Sequence, residues 1–100
     1  MPFSERIPHP FKTDAIRVYA PDAEGVYGIS NAREWIFIGQ TDSIQKAHLA
    51  HLENASVSLM KWKPTGFVYE LCSGDFRSAR QDRLVQEYEP TCNRSAGRRL

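Results

Sequence analysis

Cysteine is scarce in this chain of 100 residues: Cys72 and Cys92 are the two, and neither stands at metal-site spacing from a histidine. That usage argues against a disulfide scaffold or a structural zinc and leads us to expect a reduced, cytoplasmic setting. Long apolar runs are missing as well. No stretch approaches the roughly 20 apolar residues of a membrane helix, so no membrane partner is expected. Pro2, Glu5 and Pro8 precede any apolar run, unlike a secretory signal. A strong charge of one sign is absent too: the net charge is +1, so no global field argues for nucleic acid. Neither a G-x-S-x-G nucleophile elbow nor a G-x-x-x-x-G-K phosphate loop occurs, and there are no internal repeats.

What remains is a globular composition, 41% hydrophobic and 25% charged, at single-domain length. Residues 1–22 carry Pro2, Pro8, Pro10 and Pro21 and no sustained period. They read as an extended arm whose Phe3, Phe11, Ile16, Val18 and Tyr19 pack back on the body. Gly25–Ser30 and Glu34–Gly39, rich in β-branched and aromatic residues, flank a polar "SNAR" and predict a hairpin, with Asn31 suited to a left-handed turn. In "TDSIQKAHLAHLEN", Asp42 and Gln45 form a capping-box pattern, and Ile44, Ala47, His48, His51 and Leu52 share one helical face. "ASVSLMKWKPTG" is ambiguous between a short strand and a turn, and "GFVYELC" is a strand. "SARQDRLVQEYEP" predicts a helix with Ser78 as a cap and Pro90 as its stop. The order β-β-α-β-α predicts an α/β (α+β) fold, a small three-stranded, mostly antiparallel sheet flanked by helices.

Some residues break these patterns. Gln81 shares a stripe with Leu84, Val85 and Tyr88, so its amide either faces the sheet and needs partners or closes a capping box with Ser78. His48 and His51 lie on or beside an inner stripe at i, i+3, where hydrogen-bonded packing competes with metal ligation, and no third ligand is evident. Residues 77–99 hold six arginines against three acids, a basic end that suits phosphate or merely solvates a surface. Lys46, Lys61, Lys63, Arg80 and Arg83 are candidates for nucleic-acid backbone contacts. Trp62, between two lysines, is either a stacking platform or a core residue of an edge strand.

"GVY" at 25–27 and "FIG" at 37–39 resemble the paired motif of the GIY-YIG endonuclease superfamily. "FIGQTDSIQKAHLAHL" is similar to the family run of strand and helix, ending near a histidine that His51 matches. "RQDRLVQEYEPTCN" is similar to the late family helix, matching at Leu84, Val85, Pro90 and Asn93. The likeness covers residues 23–93, between the arm of 1–22 and a basic tail of 94–100.

The resemblance implies a site, position by position. Tyr27 would help to activate water. Phe37 stands where the family has a second tyrosine, Ala47 where it has a phosphate-steadying arginine, Gln81 where it has a metal-binding glutamate, and Asn93 is retained. His48, beside Ala47, is a candidate substitute for the arginine. Magnesium favours carboxylate oxygens, so the changes at Ala47 and Gln81 predict impaired cleavage, with magnesium as cofactor only in an active form. The leading expectation is an impaired nuclease scaffold that binds nucleic acid, DNA ahead of RNA, with a protein partner or homodimer selecting the substrate. The alternatives are an active or experimentally inactivated metal-dependent DNA endonuclease, and a protein-interaction module without nucleic acid.

Overall fold

A computed structural model describes Phe3 and residues 8–53 and 61–92. The elements in chain order are β1 (His9–Pro10), α1 (Thr13–Tyr19), β2 (Gly25–Ser30), β3 (Trp35–Thr41), α2 (Ile44–Glu53), β4 (Gly66–Leu71) and α3 (Gly74–Tyr88). One antiparallel sheet has the order β1-β4-β2-β3. It holds four strands where the sequence reading has three. The added strand is two residues long, too short to show a period, and its Pro10 is tolerated because β1 lies at an edge.

The hairpin forms as expected, with Gly25 opposite Thr41 and Tyr27 opposite Gly39. Its turn does not use a left-handed Asn31, since Lys63 and Glu89 are the only described non-glycine residues at positive φ. The Asn31 side chain instead accepts the amides of Arg33 and Glu34, both at 2.8 Å. Side-chain closure of this kind replaces the backbone inversion that a tighter turn would need. All six residues of β2 are buried, because the strand is paired on both sides and covered on both faces.

Alternation along the strands divides the interior in two. On one face Tyr27, Ile29, Ile36 and Phe67 pack with Phe11, Ile16 and Ile44 from the α1 and α2 region. On the other, Val26, Ile38 and Val68 pack with Phe3 and with Leu84 of α3. Each such side chain contributes about 1.5–3 kcal/mol on burial.

Three further expectations change. The stretch 1–22 is not extended throughout: α1 lies within it, burying Ile16, while Val18 and Tyr19 stay largely exposed. Helix α2 is capped by Ser43, whose Oγ accepts the Lys46 amide at 3.2 Å, and not by Asp42, which pairs with Arg77. Helix α3 begins at Gly74, four residues before Ser78, its first turn anchored by Arg77 to Asp42 at 3.2 Å. It ends as predicted, with Glu89 at φ 49° before Pro90. The first half of the "ASVSLMKWKPTG" segment, Asn93 and the tail of 94–100 lie outside the described residues.

Candidate functional site

Tyr27 is the centre of an aromatic-histidine cluster on the α2 face. Its hydroxyl is joined to His51 Nε2 by a 2.9 Å hydrogen bond, and its ring lies 6.0 Å from that of Phe37. Gly39 makes this arrangement fit. A Cβ there would stand 2.6 Å from the Tyr27 oxygen and 2.8 Å from the Phe37 ring, so the two rings cover a position that only glycine leaves open. Burial pushes Tyr27 up to about 12 and lowers His51, so both groups are neutral at pH 7. A phenol held this firmly is a weak proton acceptor.

His48 packs edge-on to Phe11 and Tyr27 and tilted against Phe67, whose ring centroid is 4.5 Å away. It is fully buried, and neither ring nitrogen has a hydrogen-bond partner of full geometry among the described residues. Desolvation, reinforced by His51, pushes it down to about 3, with only a small opposing contribution from the Val68 backbone. A neutral ring sealed in the core cannot meet a phosphate, so the substitution of His48 for the missing arginine is corrected. Ala47 is half-buried against the same core, one helical turn before His51, and offers only a methyl group.

Gln81 approaches from the opposite side. Its Nε2 donates to the Ile38 carbonyl at 3.1 Å, and its Oε1 accepts Gln40 Nε2 at 3.0 Å. Gln40 in turn reaches Ser78 Oγ at 3.3 Å. Of the two readings of Gln81, the sheet-facing amide is therefore the one adopted. Ile38 and Gln40 flank Gly39, so the tyrosine cluster and the glutamine ladder converge on the same residue of the edge strand β3 from its two faces.

These donors do not fit a magnesium ion. Gln81, where the resemblance expects a metal-binding glutamate, offers a neutral amide whose oxygen already accepts a hydrogen bond, whereas magnesium favours carboxylate oxygens. Among the described residues, no group of three or more His, Cys, Asp or Glu side chains could hold a metal.

The basic candidates do not form one surface. The Arg80 guanidinium is bound by both oxygens of Glu70, at 2.7 and 2.8 Å, which directs it along the sheet. Lys46 and Arg83 are exposed on α2 and α3, whereas Lys61 and Lys63 are exposed beyond the far, turn end of the hairpin. Trp62 is half-buried against the core with Lys61 Nζ 5.8 Å from its ring centre, but residues 61–63 form a helical turn and loop, so the edge strand expected for "KWK" is corrected. His51 as the partner of Tyr27, and Gln40 as the partner of Gln81, were not singled out for these roles from sequence. The strand alternation that places Gln40 opposite α3 is the signal that could have found the second.

No family model matches the sequence, and no curated protein matches it. Solved structures do. The chain is similar to the N-terminal GIY-YIG endonuclease domain of UvrC from Thermotoga maritima bound to magnesium, its catalytic divalent cation. The TM-score is 0.64 and the identity 18%, over 75% of this chain and 91% of that one. Two point mutants of that domain, also bound to the cation, match at TM-scores of 0.64 and 0.59, with 20% and 17% identity. They cover 75% of this chain and 91% and 90% of theirs. By this similarity over three quarters of its length, the chain has the GIY-YIG endonuclease fold.

Proposed function

We propose that this protein is a cytoplasmic GIY-YIG scaffold that binds nucleic acid, DNA ahead of RNA, without efficient metal-dependent cleavage. The observation that carries the reading is the Gln81 amide, committed to the Ile38 carbonyl and to Gln40 at the position where the family resemblance expects a metal-binding glutamate. Ala47 supports it, because phosphodiester hydrolysis needs positive charge on the scissile phosphate and a methyl group supplies none. Tyr27, kept neutral by burial and hydrogen-bonded to neutral His51, occupies the position where the resemblance expects a water-activating tyrosine. The described residues include no helix long and apolar enough to cross a membrane. A protein partner or a second copy would supply target selection.

The test is cleavage of branched, single-stranded and duplex DNA with Mg²⁺ or Mn²⁺, beside an Ala47→Arg/Gln81→Glu double variant. The unmodified protein should retain DNA in a salt-sensitive manner and leave it intact. The double variant should gain nicking, since one such electrostatic group is worth roughly 100- to 1000-fold in rate. Nicking by the unmodified protein that vanishes in Tyr27→Phe overturns the reading. Failure to bind any DNA or RNA turns it towards a protein-interaction module.

A further inference from the structure

At the turn end of the hairpin lies an open cleft of about 510 Å³. One wall is the turn, with Asn31, Arg33 and Glu34. The other is Lys61, Trp62 and Lys63. Its volume is in the range of ligand-sized pockets. The walls are tied together without any ligand: Asn31 Nδ2 donates to the Trp62 carbonyl at 2.7 Å, and the Thr65 amide donates to the Ser30 carbonyl at 2.9 Å. Asn31 uses its other side-chain atom to close the turn, so a single residue fixes both walls.

The lining has three cations against the one acid Glu34, around an indole. The Lys61 ammonium is 5.8 Å from the Trp62 centroid, at the outer limit of a cation–π contact, where it is weakly held. A flat aromatic ligand can replace it over the ring, and the released ammonium then lies within reach of that ligand's anionic neighbours. Nucleobases joined by phosphates combine both requirements, and a base presents its face to an indole only when it is unpaired.

We propose that this cleft holds a nucleotide of a single nucleic-acid strand, the base against Trp62 and the flanking phosphates on Arg33, Lys61 and Lys63. The inference rests on the nucleic-acid reading above and narrows it to unpaired segments, held at the opposite end of the hairpin from Gly25 and Thr41.

Fluorescence anisotropy with a labelled oligothymidylate and with a duplex of equal length tests it, alongside tryptophan quenching in a Trp35→Phe background. The single strand should bind more tightly than the duplex and quench Trp62. Trp62→Ala should weaken single-strand binding by roughly 5- to 150-fold. Because that change also removes core packing, the exposed variants Lys61→Glu and Lys63→Glu give the independent readout. Each should weaken binding and lower the slope of log affinity against log salt by about 0.7 per lost phosphate contact. Arg17→Glu on α1, an equal change in charge, should do neither. Oligothymidylate binding that is indifferent to both lysine reversals, or a duplex bound as tightly, overturns the cleft while leaving nucleic-acid binding intact. Absence of binding by any nucleic acid overturns both.

Discussion

A histidine fully buried at the centre of the core gives this protein an acid-sensitive point. His48 is neutral when folded, and burial holds its pKa at about 3 against an ordinary 6.5. The unfolded chain therefore takes up the proton first. Stability falls as pH drops below about 6.5 and continues to fall until about 3. Between pH 7 and pH 5 this single group should remove about 2 kcal/mol, at 1.36 kcal/mol per pK unit. In His48→Leu, urea unfolding at the two pH values should show a gap smaller by about that amount. His51, also lowered by burial, leaves a residual acid sensitivity in the variant. A gap of unchanged size would mean that His48 is charged or solvated in the folded protein. Its place on or beside an inner stripe was legible in the sequence. Its complete enclosure was not, because Phe11 and Phe67, which seal it, come from segments far apart in the chain.

At the scale of elements, caps and ends were read less well than elements themselves. Asp42 and Ser43 are both sound N-cap residue types, and local sequence does not choose between them. Tertiary contacts do. Asp42 is drawn out to Arg77 on α3, while Ser43 Oγ accepts the Lys46 amide and donates to Asp22. Ser43→Ala should destabilise the protein by about 0.5–2 kcal/mol in urea unfolding, and Asp42→Ala by much less. The reverse ranking would restore Asp42 as the cap. The same logic explains α3, whose first turn, from Gly74, reads as loop. Arg77 ties that turn to Asp42 and, more weakly, to Glu24 at 3.9 Å. Helix α1 escaped notice because the prolines on either side of it dominate the local pattern.

For the molecule as a whole, the sheet brings the Tyr27 cluster and the Gln81 amide to one residue from opposite faces, and neither offers the carboxylate oxygens that magnesium favours. Added magnesium should therefore leave the Tm unchanged, since a ligand that does not bind the folded state cannot shift it. Gln81→Glu should start less stable, because it replaces the donor to the Ile38 carbonyl with an oxygen. If the new carboxylate then binds magnesium, each kcal/mol of binding should return roughly 4–8 °C of Tm. A magnesium-dependent rise in the unmodified protein, followed by differential scanning calorimetry, would contradict the donor set described above.

The sequence by itself determined the hairpin, the existence and order of the helices that follow it, and the need of the Gln81 amide for partners. These follow from local chemistry, since period, turn residues and breakers act over a few neighbours. Only the tertiary structure decided that Gln81 is satisfied by Ile38 and Gln40, more than forty residues away, and that His48 is sealed in while His51 meets Tyr27. It also decided that Lys61, Trp62 and Lys63 face the hairpin turn across a cleft. Such pairings depend on strand order and helix docking, which bring together residues that the spacing of the chain keeps apart.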